Sequence, residues 1–180
     1  MSNIEELIPG TWNIDPAHSS VGFTARHLMI SKVRGQFGKF SGTIEVPDDR
    51  LGAKVDATVD VTSITTGDEA RDGHLRGPDF FEVDQYPTFS FVSTGLTRRG
   101  DDFALAGDLS IKGITKPVTF ALDFDGVGKD PWGNTKAGFS AETEINRKDW
   151  GLEWNVALEA GGVLVGDKVK LHLDIQAVKA

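Results

Sequence analysis

The chain has 180 residues, 39% hydrophobic and 26% charged, which suits one globular domain with a real core and excludes a disordered chain. Its formal net charge of −8 and pI near 4.9 disfavour nucleic acid and anionic membrane surfaces as partners. It has no cysteine, which excludes disulfides, thiolate catalysis and thiolate metal sites.

The opening MSNIEELIPG has neither the basic nor the apolar region of a secretory signal, so the expected location is cytoplasmic. No apolar run is long enough to span a bilayer as a helix, and no stable membrane insertion is expected. Residues 1–9 read as a tail, followed by a single domain over 10–180.

Gly10–Asp15 reads as a short strand stopped by Pro16, which has no ladder donor. In Ser20–Ile30, Val21, Phe23, Ala25, His27 and Met29 share one parity, the period-two pattern of a half-buried strand. Lys32–Val46 changes phase: Val33, Gly35 and Phe37 share odd parity, whereas Phe40, Gly42, Ile44 and Val46 share even parity. That switch needs an extra residue and places a bulge near Gly38–Lys39. Leu51–Thr62 alternates cleanly, with Val55, Ala57, Val59 and Val61 on the dry face.

From Thr66 to Phe91 the strand pattern stops. Thr66-Gly67-Asp68-Glu69 has the spacing of a capping box, with the Thr66 hydroxyl serving the first-turn amides of a short helix. Gly73 and then Gly77-Pro78 break that helix. The segment Asp79–Tyr86 carries Phe80, Phe81, Val83 and Tyr86, which is too apolar to stand in solvent; it is expected to pack near the mouth of a barrel.

Strands resume at Thr88–Leu96, Phe103–Ile111, Pro117–Asp125, Gly133–Ile145 and Val163–Val178, with Gly126-Val127-Gly128 and Gly161-Gly162 as turn glycines. Asn146–Asn155 is a charged, tryptophan-bearing connection. Roughly eight to nine strands joined by short turns make an antiparallel meander, all-β with one short helical insertion. A row of two-faced strands removes its edges by curling shut, and about eight strands enclose room for side chains or one small ligand. A two-sheet sandwich is the competing architecture.

The four histidines, His18, His27, His74 and His172, are too scattered to suggest a metal site. His27 lies on the inward parity, where a hydrogen-bonded core histidine is the simplest reading, and His172 lies on the wet parity. Arg71, Asp72 and His74 form a charged cluster that either ties the insertion to the barrel rim, meets the polar head of a ligand or serves as acid–base equipment. No nucleophile elbow, phosphate loop or dinucleotide fingerprint is present. Eleven Phe and four Trp against one Tyr make a bulky, apolar interior. Phe23, Phe37, Phe89, Phe91, Phe120 and Phe139 either fill an ordinary core or line an apolar cavity.

The segments TWNIDPAHSSVGFTARH, GQFGKFSGTI, TGDEARDGHLRGPDFFEVDQYPTFSF, GDLSIKGITKPV, INRKDWGL and VGDKVKLHLDIQ together resemble the YceI-like, polyisoprenoid-binding family from Thr11 to Val178. The most specific part of the resemblance is the combination of Asp15, His18-Ser19, Arg71-Asp72, His74-Leu75, Asp79-Phe80-Phe81 and Tyr86-Pro87. It implies a lipocalin-like antiparallel barrel that holds a long isoprenoid or fatty chain in an apolar tunnel, without catalysis. Related members are often homodimers, and many are exported. Phe80 then joins the six phenylalanines as a ligand contact, and His27, Arg71 and His74 become candidates for the head group or for fixing the insertion. The expected ligand is a polyprenyl lipid or quinone, with no other cofactor and no metal. The rival readings are an isomerase, cyclase or hydrolase using His27 or His74 on an apolar substrate, a protein that sequesters apolar antibiotics, and a filled barrel with a purely structural role.

Overall fold

The computed structural model describes residues 3–28, 30–156, 158 and 164–180; Met29, Gly161, Gly162 and Val163 of the sequence reading lie outside them. Among the described residues there are eleven strands and one α-helix. The strands are β1 (Gly10–Ile14), β2 (Ser20–His27), β3 (Ser31–Phe37), β4 (Phe40–Val46), β5 (Lys54–Asp60), β6 (Ile64–Thr65), β7 (Thr88–Arg99), β8 (Asp102–Ile111), β9 (Ile114–Lys129), β10 (Thr135–Asn146) and β11 (Val165–Lys179). The helix α1 spans Glu69–Arg76.

Every pairing is antiparallel, in the order β1-β4-β5-β7-β8-β9-β10-β11-β2-β3-β6, and β1 also pairs with β11. The ring of β1, β4, β5, β7, β8, β9, β10 and β11 is therefore closed: an eight-stranded barrel rather than a sandwich. The extra strands are continuations. β11 pairs through Ala177–Lys179 with β1 and through Val165–Asp174 with β2, so β1 and β2 form one strand interrupted at Asp15–Ser19. Pro16 lies in that interruption, in a 3₁₀ turn capped by the Asp15 carboxylate, which accepts from the Ala17 amide. β3 and β4 are likewise one strand broken at Gly38–Lys39, the position of the expected bulge. There the Gly38 amide donates to the Ser63 carbonyl and the Lys39 amide to Ser63 Oγ. The break lets Phe37 and Phe40 both turn inward across the change of phase. Two glycines clear space for rings on the inner face: a side chain at Gly35 would collide with Phe23, and one at Gly107 with Phe91.

The interior packs as two clusters. One contains Trp12, Ile44, Leu96, Phe103, Leu105, Phe120, Leu122 and Phe124; the other contains Phe37, Val61, Ile64, Phe89, Leu109, Ile111, Ile145 and Trp150. Each buried indole keeps its N–H satisfied, Trp12 to the Ile8 carbonyl at 2.9 Å and Trp150 to the Leu109 carbonyl at 3.0 Å.

Two expectations need correction. Within the expected N-terminal tail, the described residues 3–9 include two buried side chains. Ile4 and Leu7 are each only 2% exposed and belong to the first cluster. Ile4 opens a 3₁₀ turn, Ile4–Glu6, with Asn3 as its N-cap and Leu7 as its C-cap residue. The helix cap is also shifted, because Asp68 rather than Thr66 caps α1 and accepts from the Arg71 amide. Thr66 is occupied elsewhere: its amide (2.8 Å) and hydroxyl (2.5 Å) both donate to Oδ1 of the buried Asp72. A buried carboxylate must be satisfied by strong donors, and that need outweighs the capping role.

Candidate functional site

An apolar cavity of about 200 Å³ lies inside the barrel between the two clusters. Its walls come from β1 to β5 and β7 to β11, including Phe37, Phe89, Phe91, Phe120 and Phe139. The aromatic rings interlock edge to face: Phe91 and Phe120 have centroids 5.4 Å apart, Phe37 and Phe89 also 5.4 Å. Among the lining residues there is no histidine, carboxylate or lysine; Arg50 is the one ionisable residue. Such a space can hold an apolar molecule by burial alone, and it offers no general acid or base for a reaction.

The other sequence-derived candidates lie outside this lining. Phe23 faces inward and packs on Phe37 at 5.7 Å, behind the cavity wall. His27 stands half-buried at the end of β2, opposite Ser31 and Val165, and does not reach the cavity. The Arg71 guanidinium donates to Thr66, Nε to the hydroxyl at 2.7 Å and Nη2 to the carbonyl at 2.8 Å, closing the start of its own helix. His74 and Phe80 meet Trp154 from the β10–β11 connection, with ring centroids 4.7 Å and 5.3 Å away. Nε2 of His74 is 2.9 Å from Asp79 Oδ2. This cluster fastens the insertion to the β10–β11 connection. His74→Ala is accordingly expected to cost about 1 kcal/mol of stability and to leave apolar-ligand affinity unchanged. A selective loss of affinity without destabilisation would place His74 in the binding site instead.

Sequence reasoning assigned no structural role to three further groups. Ile4, Leu7 and Arg50 form the first end of the cavity; the apolar spacing of Ile4 and Leu7 within a polar stretch was the available signal. Arg147 is 3% exposed and donates to four carbonyls, those of Leu152, Trp154, Val165 and Gly166. Burial pulls its pKa down, against the attraction of Asp167. Asp15, at the β1–β2 interruption, has its pKa lowered chiefly by its hydrogen bond with His18 (2.8 Å), with Lys136 at 3.3 Å adding to it against partial desolvation.

The sign of the Asp15 effect follows from linkage. Its folded-state pKa lies below the unfolded value, so its contribution is present above the unfolded value and lost as pH falls through the folded one. Asp15→Asn should therefore lower the urea midpoint near neutral pH and converge on the wild type only as pH falls through the lowered folded-state pKa. A constant offset over that range would show that Asp15 ionisation is not linked to folding.

Residues 12–177 match the YceI-like domain. The chain belongs to the YceI-like family. A UPF0312 protein of Staphylococcus aureus (strain MSSA476) is 42% identical over 163 residues, covering 89% of this chain and 93% of that protein. Among solved structures, the Campylobacter jejuni YceI protein is similar at a TM-score of 0.71 with 28% identity, covering 86% of this chain and 90% of that one. Burkholderia cenocepacia BcnA shares the fold at a TM-score of 0.75 with 24% identity, over 91% and 98% of the two chains. A polyisoprenoid-binding domain from Saccharophagus degradans shares it at 0.72 with 16% identity, over 94% and 98%. The barrel fold is thus common to the chain and these structural neighbours.

Proposed function

We propose that this YceI-like protein binds and carries or stores a long apolar lipid, of polyisoprenoid or similar type, in the barrel cavity and without catalysis. The observation that carries the reading is the interior cavity itself, walled by phenylalanines and aliphatic side chains and lacking acid–base groups. A packed structural barrel has no use for such a void, since an empty space of this size forfeits contacts and lowers stability. The polyisoprenoid-binding domain from Saccharophagus degradans, with the same fold, supports the choice of lipid class. Each buried methylene contributes about 0.8 kcal/mol, so a prenyl chain supplies most of the affinity and the head group mainly sets orientation.

The test is native mass spectrometry of the purified protein, followed by organic extraction and identification of what is released. An apolar species of defined mass is expected. A clean unliganded mass together with no uptake of added prenyl lipids would rule out the carrier reading.

A further inference from the structure

One end of the cavity is closed by something other than the barrel. Its sides are strand residues, but its first end is made by Ile4 and Leu7 of the N-terminal turn with Arg50 and Ala53 from the β4–β5 connection. No residue of α1, or of the segment between it and β7, lines the cavity. The N-terminal turn lies before the first ladder pair, Gly10 with Val46, so no strand hydrogen bond holds it. Apart from its two apolar side chains, what fastens it among the described residues is the Arg50 guanidinium, together with the Trp12 indole N–H on the next carbonyl, that of Ile8. Arg50 Nε donates to the Leu7 carbonyl at 2.9 Å and Nη2 to the Glu5 carbonyl at 3.1 Å, while Nη1 donates to the Asp48 carbonyl at 2.7 Å and lies 3.5 Å from the Glu5 carboxylate.

Arg50 is thus a half-buried cation at the end of an apolar cavity, its fork turned mainly on neutral carbonyls. That fork matches a carboxylate or phosphate, which accept more strongly than a peptide carbonyl does. Size points the same way. A cavity of roughly 150 Å³ holds a benzene molecule, and this one measures about 200 Å³. A chain of several prenyl units needs more room, and withdrawal of Ile4 and Leu7 supplies it while opening that end.

Building on the carrier reading, we propose that the N-terminal turn is a displaceable plug and that Arg50 receives the ligand's anionic head. A carboxylate or phosphate on an apolar chain takes the Nε and Nη2 donors from the Leu7 and Glu5 carbonyls as Ile4 and Leu7 leave the cavity. The chain buries its own apolar surface where theirs had been, so the head group decides the exchange.

The experiment compares farnesyl diphosphate with farnesol, the same chain with and without the anionic head, by equilibrium titration and stopped-flow uptake. Arg50→Gln is expected to weaken the diphosphate by about tenfold or more and farnesol by no more than about twofold. Glu5→Gln, which removes the competing carboxylate, should tighten the diphosphate by about twofold to threefold. Ile4→Ser combined with Leu7→Ser should speed uptake of both ligands by about tenfold, because the plug loses its apolar anchors. Thermal melts establish that each variant is folded; if Arg50→Gln is not, Glu5→Gln and the serine pair decide. Equal weakening of both ligands in folded Arg50→Gln, no tightening in Glu5→Gln, or an unchanged uptake rate in the serine pair would overturn the proposal while leaving the carrier reading intact. Binding of neither ligand by the wild type would overturn both.

Discussion

Ala141→Phe is expected to abolish uptake of apolar ligands while the protein stays folded. Ala141 lines the cavity from β10, between Leu173 of β11 and Leu122 of β9 in register, and both neighbours line it too. A phenyl ring projecting from this position enters a space of about 200 Å³, and a cavity of roughly 150 Å³ already holds a benzene molecule. The added ring therefore meets a void rather than packed atoms, and its own burial offsets any strain. Stability should change by less than about 1 kcal/mol. The ligand, in contrast, loses the volume of several methylenes, at about 0.8 kcal/mol each, so affinity should fall on the order of 100-fold or more. Titration with an apolar fluorophore, alongside a urea melt, measures both quantities. Unchanged affinity in the folded variant would put the ligand outside the barrel.

Arg147→Met is expected to destabilise the protein by about 3–5 kcal/mol, lowering the melting temperature by roughly 10 °C for a chain of this length. The guanidinium sits where β10 ends and uses four hydrogen bonds to join the 152–154 segment to the start of β11. All four acceptors are neutral carbonyls, and among the described residues none of its ion pairs is a direct carboxylate contact. Asn155 reinforces the same join, its side chain accepting from the Val165 amide and donating to the Val165 carbonyl. Methionine fills similar space but removes the guanidinium donors from the Leu152, Trp154 and Gly166 carbonyls, while Val165 keeps Asn155. Arg147→Lys should recover less than half of the loss, because one ammonium cannot span acceptors arranged around a planar fork. A melting temperature unchanged in Arg147→Met would show that water replaces the guanidinium without cost.

What could be read in advance divides along physical lines. The inward faces of Thr88–Leu96 and Phe103–Ile111 were legible because a strand's side chains alternate with a period of two, whatever its partner. The closed barrel followed from many such strands with short turns and no helical crossovers. The phase change in Lys32–Val46 pointed to Gly38–Lys39, where β3 and β4 divide. Parity places a side chain inside but gives no depth along the barrel, so Phe23 and Phe91 looked alike although only Phe91 reaches the cavity.

The N-terminal turn was illegible for another reason. Ile4 and Leu7 are buried by residues far along the chain, among them Leu96 and Phe120, and no local pattern reports such contacts. The insertion looked like the cover of the cavity because it was the one irregular, aromatic stretch. Its residues before β7 do not line the cavity: Phe81 packs against Phe89 of the second cluster, and Phe80 and His74 pack on Trp154. Asp72 shows the same limit at shorter range: spacing alone favoured a Thr66 cap, and only burial of the carboxylate assigns the Thr66 hydroxyl to it.

By itself, then, the sequence determined the strands, their two faces, the aromatic interior and the family likeness, because these follow from local periodicity and composition. The tertiary structure decided which inward residues border a void, which segment closes its end and which cations are spent on main-chain carbonyls. Those properties depend on where elements distant in sequence come to rest against one another, and neither alternation nor spacing encodes that.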